Sequence, residues 1–594
     1  VKERRKVFPA VAVNPSIPRM AIFPAGLGSQ VGFCKERLMP TWLVKLNDHF
    51  PIRYLAWLAC GVGCLLSALV WAAIGSGGWL ALLFLGGVVL GLRDTQQTRH
   101  SVLRNYPVIG HLRFLLEFIR PELRQYFLEG DNEAAPFSRQ QRSLVYQRAK
   151  GDEDKRPFGT QMDVGLPGYE WINHSIAPTN LPSHDFRVLI GEGRAQPYSA
   201  SVFNISAMSF GALSANAILA LNAGAKAGGF AHDTGEGSIS RHHRQNGGDL
   251  IWEIGSGYFG CRHPDGSFNE DRFIANAREP QVRMIEIKLS QGAKPGHGGM
   301  LPGAKVTPEI AEARGVPAWQ DCVSPASHSA FSTPLEMMAF IERLRELSGG
   351  KPVGFKLCIG HPWEWFAIAK AMHESGITPD FIVVDGAEGG TGAAPLEFTN
   401  HVGAPLQEGL LLVHNTLVGL NLRDRIKVGC AGKVVSAFDI ARMMALGADW
   451  CNAGRGFMFA LGCIQAQQCH TGKCPTGVST QDPQRMRALV VTSKSERVFQ
   501  FHRHTLMALR ELVQAAGLDH PGAVTAAHIV HRCSDHEVKL LANLLPFVRP
   551  GALLAGELPH EVFRQYWPMA SAASFAAASA FTRFSAEPES SLAA

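Results

Sequence analysis

Cysteine is scarce in this chain: twelve among 594 residues, too few for a disulfide scaffold. A dense Lys/Arg stripe with interleaved aromatics is also missing, and a net charge of +6 over this length excludes an electrostatic nucleic-acid binder. The hydrophobic share of 46% is that of an ordinary globular protein, and the length leaves room for more than one domain. A third absence is local. From Tyr54 to Leu92 no residue is charged: YLAWLACGVGCLLSALVWAAIGSGGWLALLFLGGVVLGL.

That run is just long enough for two membrane spans of about 20 apolar residues each, with GSGG at 75–78 as the turn. Lys45 and Arg53 precede it; Arg93, Arg99 and Arg104 follow it; the turn carries no charge. The positive-inside rule then predicts a hairpin in the inner (cytoplasmic) membrane with both ends, and the rest of the chain, facing the cytoplasm. A buried hairpin of a soluble domain is the alternative. A cleaved signal peptide fits less well, because a second apolar segment follows at once.

Domain organisation follows from composition. Residues 1–50 are basic and proline-dotted, expected to be disordered, with Met39 a candidate natural start; 51–95 form the hairpin. Residues 96–180 read as a polar connector with helical patches such as HLRFLLEFIRPELRQYF. From 181 to 483, short apolar runs ending in Gly- or Ser-rich loops alternate with amphipathic helices: MIEIKL, KPVGFKLCIG, FIVVDGAEGGTG, RIKVGCAG and WCNAGRGF among them. This rhythm predicts parallel strands with crossover helices, closed as a (β/α)8 TIM barrel. Residues 484–569 are expected to be a helical extension and 570–594 a disordered Ala/Ser-rich tail.

In such barrels the working residues lie in the loops after the strands. The last two strands lead into VGCAGKV and NAGRGF, where Gly432, Lys433, Gly454 and Arg455 suit an anion, as loops after strands 7 and 8 commonly do. Ser436 and Asp439, with capping-box spacing, open the helix after the first of these. After the sixth strand, DGAEGGTGAAP offers a glycine cradle with Gly389, Gly390 and Thr391. A flat aromatic cofactor with a phosphate tail, such as FMN, suits a mouth lined this way.

Two lysines stand out. Lys294, in SQGAKPGHGG, would hold an acidic substrate or the negative charge of a reduced flavin, or else is a solvated surface lysine. Lys356, mid-strand in VGFKLCIG, would point inward, which costs free energy unless an anion pairs with it. The segment GCIQAQQCHTGKCP sets Cys463, Cys469 and Cys474 close together. Three thiolates fit an iron–sulfur cluster lacking one iron. Zinc with His470 as fourth ligand, or three unrelated core residues, are the other readings.

Residues from about 200 to 482 resemble the FMN-binding synthase domain of glutamate synthases. The matching motifs occur in order: AMSFGALS, DTGEGS, SGYFG, IKLSQGAKPGHGGMLPG, DGAEGGTGAAP, NLRDRIKV and ALGCIQAQQCHTGKCPTGVSTQ. The resemblance implies that Cys463, Cys469 and Cys474 ligate a [3Fe–4S] cluster, passing electrons from a donor (ferredoxin or a membrane partner) toward FMN. It implies hydride transfer to 2-iminoglutarate, formed from 2-oxoglutarate and ammonia, giving glutamate. Gln291, Lys294 and Arg314 would hold the oxo acid. Met208 and Ser209 would lie by the flavin, with Lys356 also on the cofactor side.

Three departures from the family pattern appear. Only about 180 residues precede the barrel, so no glutaminase domain is expected; the large enzymes' β-helical C-terminal domain has no room either, and nitrogen would come from ammonia or another amine. The motif expected as KPGEGGQLPG reads KPGHGGMLPG, so His297 replaces a Glu and Met300 a Gln. His297, as a histidine, titrates near neutrality and would take a proton from an incoming amine, or merely fill space. The same core acting on another oxo or imino acid, and an electron-relay subunit of a membrane complex, are the rival readings.

Overall fold

The computed structural model describes residues 52–132 and 136–578. The expectations for residues 1–50 and for most of the 570–594 tail lie outside them. The chain divides into two compact units, 1–128 and 129–594.

The first unit holds two apolar helices, Leu55–Ile74 and Gly78–Gln96, each long and apolar enough to cross a membrane. Gly75 and Gly77 turn the chain between them with φ of 76° and 88°, a left-handed geometry that glycine adopts without a Cβ penalty. The helices meet closely because glycines face large side chains: a Cβ on Gly91 would stand 2.2 Å from the Trp57 ring, and one on Gly87 2.6 Å from Cys60 Sγ. Their outer faces, including Leu65, Leu69 and Leu82, are exposed. A shorter helix, Gly110–Leu123, follows.

In the second unit eight parallel strands close into a barrel: β1 (Phe203–Ile205), β2 (His232–Asp233), β3 (Leu250–Ile254), β4 (Val282–Lys288), β5 (Val353–Leu357), β6 (Phe381–Asp385), β7 (Lys427–Ala431) and β8 (Trp450–Ala453), with β8 pairing β1. The expected TIM-type barrel is therefore present. β2 and β3 are the strands that pattern alone passed over. β2 has two residues, and β3, LIWEI, carries a glutamate in an otherwise apolar run.

The barrel interior fills by opposing large and small side chains. Trp450 from β8 lies over Gly429 of β7, whose Cβ would stand 2.4 Å from the indole, and Phe381 of β6 fills the space at Gly354 of β5. An antiparallel hairpin, Arg187–Ile190 with Tyr198–Ser201, adds Ile190, Tyr198 and Ala200 to this apolar cluster near the strand starts. With that end plugged by packed side chains, the opposite end is left for chemistry.

Helices flank the strands. Ser436 and Asp439 form the expected capping box before Ala437–Ala445. The helix Val491–Ala515 packs on Ala215–Gly228, where Gly224 leaves room for Val498. Beyond it the expectation of a purely helical extension is corrected. Ile529–Arg532 and Val538–Leu540 are strands, forming an antiparallel sheet with Glu170–Ile172. The partner strand lies more than 350 residues upstream in sequence, at Glu170 beside His531, so no local periodicity announces the pairing.

Gly354→Ala would set a methyl 2.2 Å from the Phe381 carbonyl oxygen inside the strand ladder. It is expected to destabilise the barrel by about 1–3 kcal/mol, as overpacking does, read as a lowered midpoint in denaturant titration.

Candidate functional site

The loops at the C-terminal ends of the strands gather the site. β4 ends on Lys288, whose ammonium donates to Gln291 Oε1 at 3.1 Å and pairs with Glu236 Oε2 at 2.7 Å. Glu236 arrives on the loop after β2. There Gly235, with φ 63°, lets that loop approach the backbone of Met208 and Ser209, where a Cβ would stand 2.7 Å from Ser209 N. Gln291, Lys294 and His297 line one cavity together with Glu236, Lys288 and Gly299.

Lys294 is buried, not solvated, and donates to Gly298 O at 2.9 Å. Burial lowers its pKa, and Glu236 nearby offsets part of that. Arg314, also buried, donates to Phe210 O at 3.2 Å, lies 3.5 Å from Ser209 Oγ and stacks over Phe259. Its Nε has no hydrogen-bond partner. His297 is exposed, with Nδ1 2.9 Å from Gly298 O and its ring edge-on to Phe398. Met300 is exposed and does not line the cavity.

Burial would raise the Glu236 carboxyl, but Lys288, Arg314 and Lys294 outweigh it and hold it at about 2. Three cations thus converge on one carboxylate, leaving the cavity with surplus positive charge. Sequence pattern missed both Glu236 and Lys288. The signals available were a glutamate between two glycines in DTGEGS and a lysine closing an apolar strand.

Lys356 projects inside β5 and finds the anion its position requires. Its ammonium hydrogen-bonds Glu253 of β3 and lies 3.5 Å from Glu286 of β4. Ligand oxygens of Asp233, Glu253 and Glu286 lie within 4.8 Å of one another, the one such group of metal-type ligands among the described residues. Burial, together with the neighbouring carboxylates, pushes Asp233 and Glu286 up, while Lys356 pulls both down.

On the other side of the mouth, Lys433 follows Gly432 at the end of β7 and Arg455 follows Gly454 at the end of β8. Lys433 sits at φ 54°. Arg455 donates to Glu388 O at 2.5 Å and lies over Phe137. Burial lowers the pKa of both cations, and Arg455 lowers that of Lys433 further. Neither makes an ion pair among the described residues. Gly390 meets only Arg455, at 3.4 Å from a built Cβ, and Gly454 meets nothing nearer than Met208 Sδ at 3.7 Å. Two cations beside open glycine backbone, both within the field of Glu388, fit a phosphate-bearing cofactor. Thr391 continues the same loop after β6.

The three cysteines lie on the loop after Arg455–Leu461. Cys469 O accepts from Lys305 Nζ at 2.7 Å, Cys463 O from Tyr146 at 2.6 Å, and Cys474 Sγ lies 3.5 Å from Thr476 Oγ1. Burial pushes the Cys463 thiol up to about 12, and the charges of Cys469 and Cys474 add to that, so the three are within electrostatic reach. They do not draw together, with or without His470, into the 4.8 Å grouping expected of ligands to a single ion. Gly392 abuts this loop: a Cβ there would stand 2.9 Å from His470 N.

A closed (β/α)8 barrel with a cationic cavity and glycine-rich loops at the strand ends has the architecture of a barrel enzyme. The conserved region in glutamate synthase matches residues 183–519. The glutamate synthase large subunit-like protein YerD of Bacillus subtilis is 38% identical over 496 residues, covering 76% of this chain and 94% of that protein. The archaeal-type glutamate synthase (NADPH) of Thermotoga neapolitana is 34% identical over 315 residues, 53% of this chain and 59% of its own length. A flavocytochrome b2 with pyruvate bound superimposes at 12% identity with a TM-score of 0.37, over 75% of this chain and 90% of that one. The chain belongs to the glutamate synthase family and is an oxidoreductase of that type.

Because its folded-state value of about 2 lies below the ordinary glutamate value of 4.5, Glu236 contributes stability that is present above pH 4.5 and is lost as pH falls toward 2. Glu236→Gln should therefore show a shallower loss of unfolding free energy between pH 5 and 3 than the parent, measured by denaturant titration at each pH.

Proposed function

We propose that this chain is a flavin- and iron–sulfur-dependent oxidoreductase that reductively aminates 2-oxoglutarate to L-glutamate through the imino acid, drawing on external ammonia. The observation that carries the reading is the charge of the cavity: Lys288, Lys294 and Arg314 face the single carboxylate of Glu236, which favours a dicarboxylic oxo acid. Gln291 and Lys294 hold one carboxylate, and Arg314, through its unpartnered Nε, the other. FMN, when bound, supplies the hydride. Lys433 and Arg455, with the backbone of Gly432 and Gly454, would hold its phosphate; Met208 and Ser209 would lie by the flavin, with Gly389, Gly390, Thr391 and Lys356 also on the cofactor side. His297, at the cavity edge, would hold or pass the proton of the incoming amine.

Lys294→Gln should lower kcat/KM for 2-oxoglutarate on the order of 100-fold, the cost of truncating one partner of a buried charge pair. The decisive assay follows reoxidation of the reduced protein with 2-oxoglutarate plus ammonia against other oxo acids with the same ammonia. Equal rates with monocarboxylic oxo acids would overturn the dicarboxylate assignment. A different oxo acid or amine is the second reading, favoured by His297 and Met300 where the family pattern has Glu and Gln. An electron-relay role without a small substrate does not account for the three cations.

Cys463, Cys469 and Cys474 are assigned to a [3Fe–4S] cluster. Their place on one loop, with five and four residues between successive thiols, supports this. Electrons enter there from a ferredoxin or a membrane partner. Cys469→Ser should abolish bound iron and its visible absorbance while FMN remains bound, measured by metal analysis and flavin fluorescence after denaturation; stoichiometric zinc without iron in the parent would refute the cluster. Residues 54–92 are assigned as a membrane hairpin, with the barrel on the cytoplasmic side.

A further inference from the structure

The helix Gly110–Leu123 and the turn that continues it to Leu128 play no part in the proposed chemistry, yet they carry a run of exposed aromatic and aliphatic side chains. Phe118 is 76% exposed, Phe127 79% and Leu128 77%. At 100° per residue Leu112, Leu115, Leu116, Ile119 and Leu123 share one face, while Arg113, Glu117, Arg120 and Arg124 share another. Such a helix, about 21 Å long, is stable only if something covers its apolar face.

Its position indicates what does. Asp94, near the end of the second apolar helix and directly after Arg93, is buried, and its carboxylate accepts from Val108 N at 2.9 Å. The same carboxylate meets His111 Nε2, in the first turn of the amphipathic helix, at 2.9 Å. The helix is thereby pinned to the level at which the apolar run gives way to charge. From Arg93 to Arg124 there are six arginines against three carboxylates, Asp94, Glu117 and Glu122.

We propose that Gly110–Leu128 lies flat in the headgroup layer of an anionic membrane, its leucine face in the acyl boundary and its arginines on lipid phosphates. The proposal rests on reading the hairpin as membrane-spanning. Continuity with the hairpin and the excess of arginine favour lipid over a protein partner. The helix then serves as a second, lateral foothold, fixing the height at which the following chain leaves the membrane.

The test uses the full chain in proteoliposomes, with a photoreactive benzophenone side chain in place of Leu116, or in place of Leu66 as the control in the hairpin. Both positions are exposed, so neither replacement disturbs packing. After irradiation, mass spectrometry should find lipid adducts at both positions. The adduct at 116, but not at 66, should rise about three-fold when phosphatidylglycerol replaces half of the phosphatidylcholine, as surface attraction of the arginines requires. Lipid adducts at 66 with only protein cross-links, or none, at 116 would overturn the interfacial helix and leave the hairpin standing. No lipid adduct at 66 would overturn the hairpin itself.

Discussion

A lysine ammonium inside a closed barrel can exist only among carboxylates, and in this protein that requirement organises the site. Lys356 of β5 is met by Glu253 of β3 and Glu286 of β4, and shares its field with Asp233 of β2 and Asp385 of β6. Five neighbouring strands are tied by one charge. The outer two carboxylates reach further: Asp233 Oδ1 accepts from Gly235 N at 2.9 Å, and Asp385 Oδ2 from Gly292 N at 2.9 Å. Gly235 precedes Glu236, and Gly292 stands two residues before Lys294. The backbone that presents the cavity's charged groups therefore hangs from the same network that neutralises the lysine below it. Its members cannot be altered singly without leaving a buried charge uncompensated.

Much of this was legible in the chain's own pattern. Alternating apolar runs and glycine loops gave the barrel, because each parallel strand is buried on both faces and each working loop needs a close backbone approach. The need of Lys356 for an anion followed from its place in a strand, and Ser436 with Asp439 announced their helix start. β2 escaped because two residues, His232 and Asp233, carry no periodicity. Glu236 and Lys288 escaped because a charged residue next to glycine looks the same whether it faces solvent or a cavity; only the fold brings 236 beside 288. The strands at 529–540 escaped for the same reason, since their partner at Glu170 is remote in sequence.

Of the two positions that read differently from the expected motif, His297 lies on the cavity and Met300 outside it, and neither belongs to its charged floor. His297 and Met300 are exposed, whereas Lys294 and Arg314 are buried and fixed by neighbours. Variation at these two positions leaves the charged groups Lys288, Lys294 and Glu236 in place. Divergence at a rim costs little stability, because the residues there hold few packed contacts.

Gly392 bears on how charge crosses the molecule. With no side chain at this position, the loop after β6 and the backbone of Cys469 and His470 meet without an intervening atom. Under the proposed assignments these are the walls of the two redox compartments. Electron tunnelling weakens exponentially with the thickness of matter to be crossed, so a missing methyl here acts as a thinned insulator. The barrel mouth and the cysteine loop would then behave as one short conductor, in which donor contact at the cysteines is felt at the substrate cavity without any movement of the chain.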